Sequence, residues 1–382
     1  MSGKASQNPT LWVATRKGAW SLHAQDGRER WALKGPHFHG HIVHHVVADP
    51  RNPRLVLASV RTGHLGPTLM RSADGGKRWS EAARPPAFHK KDDPRRKTQP
   101  RVVDHTFFLT PGHASERGTW WAGTSPQGLF FTEDDGQTWT GVDAINESKR
   151  MRPWMGTAQD GTPDGPKLHS ITLDPRDPKH LLFGMSGGGV HESFDRGATW
   201  AARIEGMEVV GGFPSDQPTF HDPHCIVRSP ADPTRLYQQN HCGIYRLDEC
   251  SPAWVRIGRQ MPKSVGDVGF PIVAHPRDRD TAWVFPMDAN DVWPRTAVAG
   301  KPAAYVTRDG GRRWQRQDQG LPPAQAWWTI KRQAMAADFA DPVGLYVGNT
   351  GGELWMGAEE GARWRCIARH LPEIYAISVV SR

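Results

Sequence analysis

The sequence predicts an all-β chain, a seven-bladed β-propeller of four-stranded antiparallel blades. Three observations lead there. One turn motif recurs along the chain, apolar strands ending in proline recur in step with it, and Gly or Pro interrupts almost every window long enough for a helix. The 382 residues include 40 Gly, 32 Pro and 17 Trp, a mixture suited to short strands, tight turns and tryptophan packed between sheets.

The turn motif is Ser/Thr-x-Asp-x-Gly-x-x-Trp. It is complete at Ser72–Trp79, Thr132–Trp139, Ser193–Trp200 and Thr307–Trp314, and degenerate copies end at Trp31, Trp254 and Trp364. Its chemistry is that of a tight hairpin: the Ser/Thr and Asp side chains accept backbone N–H groups, and Gly takes the left-handed conformation. The seven tryptophans follow one another at 48 to 61 residues, the length of one four-stranded unit. A single domain over 1–382 is therefore expected, with blades at 42–84, 102–142, 168–204, 224–258, 268–316 and 327–368. The remaining blade takes 11–35 plus 374–380. It lacks its own first strand, and Ile374–Val380 has the missing pattern, so the tail is expected to pair with the amino end and close the ring.

Within these units four histidines share one position. His44, His105, His169 and His224 each stand six residues before a proline (Pro50, Pro111, Pro175, Pro230) at the end of an apolar strand. Equivalent positions in successive repeats become neighbours in space, so a shared residue type suggests one converging site. The other three units place Tyr375, Phe270 and Gln333 there. Imidazoles brought together cannot all be protonated, and a divalent transition metal bound through neutral nitrogen resolves the conflict. Iron, zinc and copper all suit such a set. Asp222, two before His224, is expected to orient imidazoles, whereas strand alternation turns Asp104 away from the histidines.

The repeated turn resembles the Asp-box (BNR) repeat of sialidases, sortilin-type receptors and photosystem assembly factors, over nearly the whole chain. The resemblance implies that Asp74, Asp134, Asp195 and Asp309 are structural. It also implies that the first strand of each blade lines a central channel whose mouth receives ligands. A four-histidine centre in a propeller is similar in architecture to the non-haem iron site of carotenoid-cleaving oxygenases. Turns expected on the same face carry Arg61, His64, His241 and Asp288, candidates to position substrate or move protons, with Asn290 and Asp291 close by. That rim suits a polar or anionic small-molecule substrate. Trp154, Trp293, Trp327 and Trp328 stand in the long connections as lids or stacking surfaces.

The functional expectation is a metal-dependent enzyme, hydrolytic or oxidative. One alternative is a sialidase-like glycoside hydrolase, for which Tyr375, Glu373 and Arg332 are the residues at hand; the other is a non-catalytic binding scaffold. The formal charge is +8, and 84–101 holds seven Lys/Arg against two Asp. That stretch reads as a solvated loop without the interleaved aromatics of a nucleic-acid platform. No run approaches 18 apolar residues, the amino end has no apolar signal core, and four cysteines without CxxC spacing suit reduced thiols, so a cytoplasmic protein without membrane partners is expected.

Overall fold

The computed structural model describes residues 8–89, 101–151, 166–209, 211–288 and 295–380. Its structure is nearly all β, with a single α-helical turn, Asp143–Asn146, among the described residues. Five sheets have four strands each and span 42–81, 105–141, 168–202, 223–256 and 269–317; the sixth has eight strands. In the eight-stranded sheet Ile374–Val380 pairs antiparallel with Thr10–Thr15, running from Thr10 opposite Val380 to Thr15 opposite Ile374. One parallel bridge, Gln333 to Ala376, joins that half to the strands of 330–368.

The first strands of the four-stranded sheets are Ile42–Asp49, His105–Pro111, Leu168–Asp174, Pro223–Arg228 and Gly269–Ala274. Each touches the next; Gly269–Ala274 touches Ile330–Ala337, which touches Ile374–Val380, which returns to Ile42–Asp49. Sheets stacked radially around such a circle of inner strands make a β-propeller. The apolar core lies between neighbouring sheets. Leu55, Leu57 and Leu69 of one pack on Leu109, Trp120, Phe130 and Trp139 of the next.

The recurring turns fold as their chemistry dictates. Ser72 Oγ accepts the Gly76 N–H at 2.8 Å, and Asp74 Oδ1 accepts the N–H groups of Lys77 and Arg78 at 3.0 and 2.9 Å. The indole of Trp79 donates to the Gly76 carbonyl at 3.1 Å, and Trp139 and Trp200 repeat this at Gly136 and Gly197. Trp314 departs from the pattern and donates to Ile257 O in the preceding sheet. The glycine is needed twice over. Gly136 has φ +86°, and a Cβ there would stand 2.9 Å from Leu57 Cδ1 of the neighbouring sheet.

The four cysteines are unpaired. Among the described residues no helix is long and apolar enough to cross a membrane. Trp154, Trp293, Asn290, Asp291 and most of the basic stretch lie outside the described residues.

Candidate metal centre

The inner strands are interrupted at one common level. Pairing shifts between Val43 and His45, Thr106 and Phe108, Pro223 and Cys225, and opposite Ala14/Thr15, leaving His44, Phe107, His224 and Tyr375 unpaired. The shift spans more residues between His169 and Thr172, Gly269 and Ile272, and Ile330 and Met335. A bulge inserts a residue without a partner and re-aims its side chain. Bulged residues of adjacent strands meet: the His44 ring stacks on Tyr375 at 5.5 Å, and His224 lies 4.9 Å from Phe270. In the 105–141 sheet the bulged residue is Phe107, and His105 instead opens its strand opposite Ser125.

The four histidines do different things. His44 and His105 stack with centroids 3.8 Å apart and planes 10° from parallel. Burial first, then the charges of His105, Lys331, Lys167 and Arg61, hold the His44 pKa well below its ordinary value. His44 Nε2 is buried without a hydrogen-bond partner. His105 Nδ1 lies 2.7 Å from Asp104 Oδ2, and Arg61 Nη2 is 2.8 Å from Oδ1 of the same carboxylate. This corrects the expectation for Asp104. The strand begins only at His105, so alternation does not govern its predecessor, and Asp104 orients the imidazole. Phe107 stands between His105 and His169, at 6.2 and 6.4 Å.

His169 binds strands together. Its Nε2 donates to Pro223 O at 2.9 Å, and its Nδ1 accepts from Ser170 Oγ at 2.7 Å. Ser170 Oγ in turn accepts the Ile226 N–H at 3.0 Å. Both imidazole nitrogens are thereby used. Burial, followed by the charge of Arg332, holds the His169 pKa well below the usual range.

His224 belongs to a tighter group. Asp222 and His241 face each other just beyond the Pro223–Asn240 pair, where the His241 N–H donates to Asp222 O at 3.0 Å. The bulge swings His224 to the same place, and its ring meets that of His241 edge-on at 5.6 Å. One ligand atom each from Asp222, His224 and His241 lie within 4.8 Å of one another. Among the described residues this is the group of three such side chains close enough to hold an ion, and of the four aligned histidines only His224 is in it.

The hydrogen bonding inside the group is incomplete. His224 Nδ1 lies 2.7 Å from Gly269 O, which can only accept, so that nitrogen carries the proton. In the neutral ring Nε2 is then a bare lone pair, and it faces Asp222 Oδ2 at 3.3 Å. Burial first, then Arg332, lower the His224 pKa to about 4, against the pull of Asp222. For Asp222, burial pushes the pKa up, and the Arg332 charge is among the influences that outweigh it and keep the carboxyl ionised. Its Oδ1 is buried without a hydrogen-bond partner. His241 Nδ1 stands 3.9 Å from Oδ2.

Cations surround the mouth. Arg332 and Arg295 lie over the Phe270 ring at 5.1 and 5.7 Å, and both act electrostatically on Asp222. Lys331 lies 3.9 Å over the Tyr375 ring and 3.0 Å from Glu373 Oε1, so the Tyr375 and Glu373 of the sialidase-like alternative are engaged with Lys331. Of the remaining candidates, Arg61 pairs with Asp104, and His64 is exposed in the turn that follows it. Asp288 donates its N–H to Thr296 O. The Asp222–His224–His241 grouping was missed as a unit because its signal is spread: an Asp-x-His segment and a histidine that faces it only through hairpin pairing. Lys331 and Arg332 sit where the strand runs four residues without pairing to its antiparallel neighbour, a place alternation does not describe.

No protein-family model matches the chain, and no curated protein matches it by sequence. Solved structures do. A GH74 enzyme of Niastella koreensis aligns with TM-score 0.61 and 15% identity over 95% of this chain and 53% of that one. An ancestral GH74 enzyme aligns at 0.56 and 16% over 85% of this chain and 38% of its own. A Bacteroides fragilis protein described as a “putative 6-phosphogluconolactonase” aligns at 0.57 and 11% over 98% of both chains. The chain thus spans about half, or less, of the length of the two GH74 enzymes. At these identities the likeness is one of fold, and the fold is a β-propeller.

Proposed function

We propose that the chain is a metal-dependent hydrolase whose ion is held by Asp222, His224 and His241 at the channel mouth and whose substrate is a small anion. The observation that carries this reading is the pairing of a carbonyl-fixed His224 tautomer with an ionised carboxylate at 3.3 Å. Two acceptors face each other, and a cation between them satisfies both. Two imidazoles and one carboxylate suit zinc or iron(II) and leave positions for water and substrate. When bound, the ion supplies an activated water at neutral pH. Gly269 fixes the donor nitrogen of His224, the Asp222–His241 backbone pair sets the spacing, and Arg332 and Arg295 attract a negatively charged substrate. In this reading His44 and His105 line the opposite wall, in place of a four-histidine centre.

The same reading takes the eight-stranded sheet as two blades, giving a seven-bladed ring closed by Ile374–Val380. The four complete turns are then Asp-box repeats. Hydrolysis is preferred to oxidation because enzymes described as hydrolytic share the fold. The test is turnover of a panel of carboxylate-bearing lactones and nitrophenyl esters by protein reconstituted with zinc or iron(II). Metal-dependent turnover abolished by Asp222→Asn supports the reading. Turnover unaffected by metal or by that substitution contradicts it.

A further inference from the structure

Four residues after the aligned position of each repeat, the inner strands carry a small or apolar side chain: Ala48, Leu109, Leu173, Ala274, Ala337 and Val379. The exception is Arg228. Its side chain is 9% exposed, and its Nη1 donates to Pro233 O at 2.6 Å and stands 3.3 Å from Asp174 Oδ2. Nε and Nη2 are buried without a hydrogen-bond partner. Elsewhere in this protein that edge of a guanidinium takes both oxygens of a carboxylate. Arg51 holds Asp49 through it at 2.8 and 2.7 Å, and Arg256 holds Asp267 with both bonds at 2.9 Å. In the 42–81 and 168–202 sheets the carboxylate is the residue before the proline, Asp49 or Asp174, gripped by the arginine two residues on. In the 223–256 sheet that residue is Ser229, so the repeat supplies no carboxylate at this place.

Arg228 lines a cavity of about 330 Å³. Arg332 and Gln333 are in its wall, and they bar the channel: Gln333 Nε2 donates to Phe107 O at 2.9 Å and Arg332 Nη1 to Pro223 O at 3.3 Å. Phe108, Ile272, Met335 and Ile377 form apolar wall, and each follows the bulge of its own strand, so the chamber lies beyond the bar from His224 and the mouth. We propose that this chamber binds a small carboxylate with a compact apolar body, both oxygens on Nε and Nη2 of Arg228. Buried N–H donors without acceptors are costly, and one carboxylate relieves two of them, whereas a neutral ligand of the same shape leaves at least one unmet. Arg332 adds a second positive charge to the wall. Asp338, the acid among the described wall residues, is already compensated: it accepts from Arg28 Nη1 at 3.0 Å, the Tyr346 hydroxyl at 2.7 Å and the N–H groups of Ala340 and Gly344. The apolar body of the ligand buries surface against the remaining walls, and the volume, at the lower end for small-molecule sites, keeps it compact.

The experiment is calorimetric titration of the full-length protein, dialysed against a chelator, with benzoate and with benzyl alcohol as its neutral counterpart. The expected result is saturable one-to-one binding of benzoate, with benzyl alcohol weaker by roughly tenfold or more. Arg228→Lys keeps the charge but not the two-pronged edge, and should weaken benzoate by roughly tenfold. Ala336→Phe, at a half-buried wall position, should weaken it by a similar factor through loss of space, and reads the site even if the arginine variant does not fold. Adding zinc should leave the benzoate affinity unchanged, which separates this chamber from the metal centre whether or not that centre takes up the ion. No saturable binding of benzoate, benzyl alcohol binding as tightly, binding indifferent to either substitution in folded protein, or binding that appears only with zinc would overturn the proposal.

Discussion

His44 and His105 lie face to face, 3.8 Å between ring centroids, with Asp104 Oδ2 2.7 Å from His105 Nδ1. A pair this close cannot carry two positive charges, and burial keeps His44 neutral. His44 therefore contributes shape at the wall of the mouth. His44→Phe is expected to preserve the stack and to change stability by no more than about 1.5 kcal/mol in a denaturant titration. It should also leave the metal content unaltered. A larger loss, or loss of the ion, would show that the imidazole nitrogens matter.

His45 and His191 give the protein an acid limit. Burial first lowers their pKa values, to about 3 and about 4. The unfolded chain takes up these protons near pH 6.5 and the folded chain does not, so stability is full above that value and declines as pH falls toward 4 and then 3. The slope is about 1.4 kcal/mol per pH unit for each such histidine. Denaturation midpoints from pH 7 to pH 4 check this: His45→Gln should flatten the profile, and an unchanged slope would be contrary.

Asp134 is a turn former. It accepts from the N–H groups of Gln137 and Thr138 and from the hydroxyls of Thr132 and Thr138. Asp134→Ala should lower stability by about 1–3 kcal/mol with turnover per folded molecule unchanged. Loss of activity in a protein that melts normally would give that carboxylate a role the geometry does not.

The tail strand should be indispensable. Ile374 and Ile377 are buried, and the strand supplies the antiparallel partner of Thr10–Thr15. Ending the chain at residue 373 removes that partner and leaves the edge of Thr10–Thr15 exposed. The expected outcome is an insoluble or molten product by near-ultraviolet circular dichroism. A shortened chain that melts like the intact one would count against ring closure.

Arg332 should sort substrates by charge. It is buried beside Asp222, His224 and Phe270. Arg332→Met is expected to lower kcat/KM for carboxylate-bearing substrates by roughly tenfold to a hundredfold, the worth of one charge-assisted hydrogen bond, with neutral analogues affected less. Equal loss on both would make Arg332 structural.

Much of the fold was legible in the sequence because its signals are local. Ser72, Asp74, Gly76 and Trp79 do their work within one turn, and the pattern repeats with the same hydrogen bonds at Thr132–Trp139 and Ser193–Trp200. Of the four aligned histidines, His44 and His224 sit on the bulges of their strands. What the alignment could not show is the bulge itself. In the 105–141 sheet it lifts Phe107 where His105 was expected, and in the next sheet His169 is drawn into a bond with Pro223. The metal group depended on hairpin pairing that sets His241 opposite Asp222, a relation between residues far apart in the chain and invisible to a repeat comparison.

The most direct measurement is metal content by plasma mass spectrometry on protein purified without a histidine tag, before and after reconstitution with zinc or iron(II). The account predicts close to one equivalent, abolished by Asp222→Ala and by His241→Ala, and retained by His44→Ala and His169→Ala in protein that stays folded. An ion that survives loss of Asp222 and His241, or a folded wild-type protein that binds none, would contradict it.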